Sequence, residues 1–164
     1  RVASVNPRAE FWSWVQDKLR EPDALAALEA IKSRVLEEQE TLLAAPPTSP
    51  TENNRDWIGG LRGEGPQAFF LPWRAGTNTG AHAHPNRMLV IVLRGEFEMT
   101  NYERGATVLV DRQRVRAGEY VFGVSDDPGY ENFPHAIAAV EDSLSFHLYG
   151  DDPARGRRYP DAPR

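Results

Sequence analysis

The chain has 164 residues, 40% of them hydrophobic and 26% charged, which is the composition of an ordinary globular domain long enough to bury a core. A formal net charge of −5 argues against a general nucleic-acid-binding surface, and no apolar run approaches the ~20 residues that a membrane-spanning helix needs. There is no cysteine, which excludes disulfides, thiolate metal sites and cysteine nucleophiles; with no sign of export, a cytoplasmic location is expected. The sequence opens on Arg1 rather than methionine, as a trimmed chain would.

The first third reads as helical. In PRAEFWSWVQDKLR the apolar positions Phe11, Val15 and Leu19 recur every fourth residue, with Trp12 beside them. A second helix is expected from near Pro22, because proline in a first turn followed by Asp23 suits a helix N-terminus and its dipole. Leu25, Leu28, Ile31, Val35 and Leu42 form its stripe, and the prolines of APPTSP stop it. The composition of residues 46–56 is that of a loop.

After this the chain changes character. The runs QAFFLPW, RMLVIVL, EFEMTNYE, ATVLVDRQ, YVFGV, HAIAAV and SLSFHLYG read as short strands. Turns are expected at Arg94-Gly95, Arg104-Gly105, Ala117-Gly118 and Asp127-Pro128-Gly129. Many short strands with regular turns indicate a sandwich or barrel. Residues 1–56 are therefore expected to supply helices and a linker packed on a barrel of residues 57–164, the whole forming one domain. Phe11, Trp12 and Trp14 are expected to pack on the outside of the barrel or to seal a homodimer.

All four histidines lie in the β half: His82, His84, His135 and His147. In GAHAHP, His82 and His84 are two apart, so on a strand they face the same way with backbones ~7 Å apart, close enough to share an ion. In SFHLYG the strand faces separate cleanly. Leu144, Phe146 and Leu148 point one way, while Ser145, His147 and Tyr149 point the other, towards either solvent or a reactive pocket. Trp73 and Phe70 read as core.

The segments GTNTGAHAHPNRMLVIVLRGEFE and RVRAGEYVFGVSDDPGYENFPHAI resemble the two motifs of the cupin superfamily, over roughly residues 66–150. The resemblance implies a mainly β fold, a double-stranded β-helix barrel behind the two N-terminal helices, with a metal held near one end by His82, His84 and His135. Many cupins carry a glutamate ligand four or five residues after the histidine pair; Met88 and Leu89 stand there instead, leaving three neutral imidazoles. Such a set suits Fe, Zn, Cu or Ni.

The ending Ser145, His147, Tyr149, Gly150 is similar to that of thiol dioxygenases, the cysteine and 3-mercaptopropionate dioxygenases. This second resemblance implies an Fe(II) enzyme that adds both atoms of O2 to the sulfur of a small thiol carboxylate. In that family Ser145, His147 and Tyr149 would form a hydrogen-bonded relay beside the iron. In YGDDPARGRR, the second arginine of the pair Arg157 and Arg158 stands where mercaptopropionate enzymes bind the substrate carboxylate. Cysteine dioxygenases instead use an arginine upstream of the histidine pair. Arg55 and Arg62 are both candidates for that role, and Arg62 joins Arg158 in the expected substrate-binding set. Two other readings compete. A three-histidine cupin also suits C–C cleavage with O2, or lyase or isomerase chemistry with another metal; a non-catalytic cupin would bind a small molecule.

Overall fold

A computed structural model describes residues 6–164. The first five residues of the expected 1–56 segment therefore lie outside the described residues. Helix α1 (Pro7–Leu19) begins after Asn6, whose side chain accepts from Arg8 N at 2.9 Å, with Pro7 in the first turn where its missing N–H costs nothing. Helix α2 (Ala24–Ala44) starts slightly later than Pro22 suggests, because Asp23 is the cap and accepts from Ala26 N at 3.0 Å. It ends at Ala45, before Pro46 and Pro47. Its stripe buries Leu28, Ile31, Val35 and Leu42, whereas Leu25, in the first turn, stays half exposed.

Nine strands follow: β1 (Asp56–Leu61), β2 (Glu64–Trp73), β3 (His82–His84), β4 (Arg87–Arg94), β5 (Glu96–Tyr102), β6 (Leu109–Arg116), β7 (Tyr120–Val124), β8 (Asn132–Ala139) and β9 (Ser143–Tyr149). They form two antiparallel sheets, ordered β1-β2-β9-β4-β7 and β3-β8-β5-β6. This order is that of a double-stranded β-helix. Turn glycines do what was expected of them. Gly95 turns β4 into β5 at φ +83, and a Cβ there would come within 2.1 Å of Ser143 Oγ.

Alternation splits the hydrophobic residues into two layers. Between the sheets lie Trp57, Phe69, Trp73, Met88, Val90, Val92 and Tyr149 of the five-stranded sheet, against Phe97, Met99, Val115, Ile137 and Ala139 of the other. The opposite face of the five-stranded sheet, with Ile58, Phe70, Leu89, Ile91, Phe146 and Leu148, is covered by α1 and α2. Phe11 meets Phe146 edge-on at 6.3 Å and is fully buried; burying such a ring is worth about 1.5–3 kcal/mol. Trp12 lies over β1 at Gly59, where a Cβ would sit 2.0 Å from the indole. The N-terminal aromatics thus bind the barrel's outer wall.

Arg8 ties this layer together. Its guanidinium is buried and forks onto both carboxylate oxygens of Asp56 at 2.6 and 3.0 Å. It also donates to the carbonyls of Leu42 (2.8 Å) and Trp57 (3.1 Å). One side chain therefore joins the start of α1, the end of α2 and the start of β1.

Past β9 the chain makes a short 3-10 turn, Pro153–Arg155, capped by Asp152, and then runs back along the free edge of β3. Ala83 N donates to Arg157 O (2.8 Å), Tyr159 N donates to Ala81 O (3.0 Å), and Arg158 pairs with His82.

Candidate metal centre

Three elements bring the histidines together. His82 and His84 project from β3 on one face, and register places His82 opposite His135 of β8. The irregular pairing between His82 and His84 lets both rings approach the third. Ring centroids are 4.7 Å apart for His82 and His84, 5.0 Å for His82 and His135, and 4.2 Å for His84 and His135. One nitrogen from each ring lies within 4.8 Å of the others.

The protonation states suit a cation. His84 Nδ1–H donates to Phe133 O (3.1 Å) and His82 Nδ1–H donates to Gly80 O (2.9 Å), which leaves each Nε2 with a free lone pair. Burial lowers all three histidine pKa values, His84 to about 3, so the rings are neutral near pH 7. The Nε2 atoms of His84 and His135 are buried with no hydrogen-bond partner. Buried polar atoms left unpaired are costly, and a bound cation would satisfy both. Among the described residues no Asp or Glu joins the group. The residues present fit a divalent transition metal held by three nitrogens, and Met88, buried in the barrel core, supplies no carboxylate.

The polar face of β9 lies beside this group. Ser145 Oγ is 2.6 Å from His147 Nε2, and His147 Nδ1 is 2.9 Å from the Tyr149 hydroxyl. A fourth member extends the chain: Trp73 Nε1–H donates to Ser145 Oγ at 2.8 Å. An indole N–H only donates, so it occupies one of the two Ser145 lone pairs. The other contacts of Ser145 Oγ are His147 Nε2 at 2.6 Å and Leu71 O at 3.4 Å, and the shorter distance favours donation of the Ser145 proton to Nε2. His147, whose pKa is pushed down to about 3 by burial and then by Arg55, is neutral. With Nε2 accepting from Ser145, its one proton sits on Nδ1 and is donated to Tyr149 Oη. That leaves the Tyr149 hydroxyl proton free to point into the cavity that Tyr149 lines. Burial raises the Tyr149 phenol above its ordinary range, so it stays protonated. His147 is held flat between Phe69 (5.4 Å, 10°) and Trp73 (6.2 Å, 27°), and Tyr149 stacks on His84 at 5.8 Å.

The cavity measures about 280 Å³; besides the histidines His82, His84 and His147 it is lined by Arg55, Trp73, Thr79, Tyr149 and Arg158. Of the arginine pair, Arg158 faces the cavity and donates to Thr79 O (3.1 Å), while Arg157 turns away to Glu131 (2.6 Å). Arg62 does not reach the site. It sits at the tip of the β1–β2 hairpin, exposed and paired with Glu52, and the cavity-lining arginine upstream of the histidine pair is Arg55. Arg55 lies over the Phe69 ring at 4.9 Å. By bulk alone Trp73 reads as core, and the sequence does not separate Arg55 from Arg62. Arg87 bonds the carbonyls of Asn86 and Ser125.

No protein-family model matches the chain, and no curated protein matches it. Solved structures similar to it include a cupin superfamily protein from Desulfitobacterium hafniense, 14% identical with a TM-score of 0.43, covering 62% of this chain and 81% of that one. KdgF from a Halomonas species is 18% identical with a TM-score of 0.44, covering 62% and 83%. An oxalate decarboxylase variant from Bacillus subtilis is 16% identical with a TM-score of 0.43; the match spans 55% of this chain and only 22% of that one. The strand order and the histidine group together describe a cupin-type barrel with a three-nitrogen site able to hold a metal ion.

Proposed function

We propose that the protein is a mononuclear non-haem Fe(II) dioxygenase that oxidises a small thiol carboxylate, of the cysteine or 3-mercaptopropionate type, to its sulfinate. The observation that carries this reading is the placement of the Trp73–Ser145–His147–Tyr149 chain beside three converging imidazoles, two of them buried with unpartnered Nε2 atoms. In overall balance a thiol and O2 give a sulfinic acid, both oxygen atoms ending on sulfur. Iron held by His82, His84 and His135 would supply the coordination that makes the thiol acidic and the redox chemistry that O2 requires.

The chain's own residues have separable tasks. Arg158, at the cavity mouth, binds the substrate carboxylate through its guanidinium fork and so aims the sulfur inward. Tyr149 presents a hydroxyl proton to the reacting oxygen. His147 and Ser145 orient that hydroxyl, and Trp73 anchors Ser145 at the far end of the chain. Phe69, Leu71 and Ile137 give the cavity an apolar wall, which strengthens each polar contact within it. No acidic residue among those lining the cavity competes for Arg158.

The test is O2 consumption by Fe(II)-loaded protein with cysteine and with 3-mercaptopropionate. One sulfinate is expected per O2. Tightly held zinc in protein as purified, together with no uptake for any thiol, would overturn the reading.

A further inference from the structure

Two arginines line the cavity, and neither has an acidic partner among the described residues. Among the described residues Arg158 donates only to the carbonyl of Thr79, and the Arg55 side chain makes no hydrogen bond, lying instead over Phe69. Other arginines among the described residues also lack a carboxylate, Arg74, Arg87, Arg94 and Arg112 among them, but they do not line the cavity; Arg8, Arg62, Arg104 and Arg157, by contrast, each have one within reach. The two cavity arginines also come from different sides. Arg55 precedes β1, the edge strand of the five-stranded sheet, whereas Arg158 lies on the tail beside β3, the edge strand of the other. Together they bracket the cavity, and no Asp or Glu lines it.

Two uncompensated guanidiniums beside a divalent-ion site make a strongly positive enclosure, and a single carboxylate would satisfy one of them. We infer that the cavity selects a small thiol bearing two carboxylates, one taken by Arg158 and the other by Arg55; this rests on the thiol-oxidising reading above. A volume of about 280 Å³ lies at the small end of ligand cavities, which suits a four-carbon thiol dicarboxylate and excludes a peptide. The Phe69 ring lies 4.9 Å from the Arg55 guanidinium carbon, a cation–π contact that uses none of the guanidinium's N–H donors and so leaves them for the second carboxylate.

The test separates selectivity from turnover. Binding of 2-mercaptosuccinate and of 3-mercaptopropionate is measured by calorimetry on zinc-loaded protein, which holds the ligand without oxygen chemistry. 2-Mercaptosuccinate is expected to bind about tenfold tighter or more, the gain of one charge-assisted fork. In Arg55→Gln the ratio should collapse to about twofold or less, with metal content and thermal melting as wild type, since the Arg55 side chain makes no hydrogen bond that its loss would break. Equal affinities in the wild type, or a preference that survives Arg55→Gln, would overturn the inference. Oxygen uptake by Fe(II)-loaded protein provides the second arm. If no thiol is oxidised while the preference persists, the dioxygenase reading fails and two-carboxylate selection stands. If 3-mercaptopropionate is oxidised with the higher kcat/KM, two-carboxylate selection fails and the dioxygenase reading stands.

Discussion

Gly156 sets how closely the C-terminal tail approaches the metal centre. A Cβ at this position would lie 1.9 Å from Ala83 O, 2.9 Å from Ala83 C and 3.1 Å from Pro153 O. The nearest of these atoms is backbone of β3, held between His82 and His84, and cannot yield. A carbon–oxygen contact needs about 3.3 Å, so in Gly156→Ala the tail must retreat by roughly 1.4 Å. The adjacent bond from Ala83 N to Arg157 O, 2.8 Å long, is then stretched beyond hydrogen-bond range. One or two such bonds are worth about 0.5–1.5 kcal/mol each, so melting should fall by only a few degrees. The functional effect should be larger, because the retreat withdraws Arg158, whose contact with a carboxylate is worth about 1.5–3 kcal/mol, or some 10–100-fold in affinity. The assay is the Kd of 3-mercaptopropionate for zinc-loaded wild type, Gly156→Ala, Arg158→Gln and the double variant. The double variant should bind within about twofold of Arg158→Gln alone, since the glycine acts through the arginine. Affinities that multiply, or an unchanged Kd in Gly156→Ala, would refute this account of the tail.

Further expectations follow from the same geometry. Arg8→Met removes the fork on Asp56 and the two donations to the carbonyls of Leu42 and Trp57, which keep backbone partners in Ala45 and Thr48, so urea denaturation should show a loss of about 2–3 kcal/mol; a loss below about 1 kcal/mol would mean the pair is not holding the helices to β1. Trp73→Phe keeps an aromatic against Phe97 but deletes the N–H that feeds Ser145, so kcat should drop about tenfold with metal content unchanged, and an unchanged kcat would remove Trp73 from the relay. Metal-free protein should be acid-sensitive. His84 and His147 have folded pKa values of about 3 against about 6.5 unfolded, so below pH 6.5 the unfolded chain binds the extra protons. The stability present above pH 6.5 is therefore lost as pH falls towards 3, by up to about 2 kcal/mol per histidine between pH 7 and pH 5. Urea midpoints equal at those two pH values would contradict the neutral buried rings.

Local pattern and long-range pairing divided the legibility of this chain. The two faces of β9 were readable because strand alternation is a local rule, and Phe146 and Leu148 do face the helices while Ser145, His147 and Tyr149 face the barrel. The histidine pair was readable for the same reason. Strand β1 was not, because Gly59 and Gly60 weaken its signal, and the demand for glycine at 59 comes from Trp12, more than forty residues earlier. Missing β1 made the choice between Arg55 and Arg62 undecidable. Once β1 and β2 form a hairpin, Leu61 pairs with Glu64 at the tip and Asp56 pairs with Phe70. Arg62 and Arg55 then lie at opposite ends of the strand, roughly 20 Å apart at ~3.3 Å per residue. Only Arg55 stands at the end where Phe69 faces His147. Trp73 was hidden in a similar way. Its bulk reads as core, which it is, and its N–H acquires a task only because the β2–β9 register sets the indole against Ser145. The arginines and the tryptophan therefore have positions set by strand pairings rather than by motifs: moving the β2–β9 register by one residue would turn Trp73 away from Ser145 while leaving His82, His84 and His135, which lie on β3 and β8, where they are.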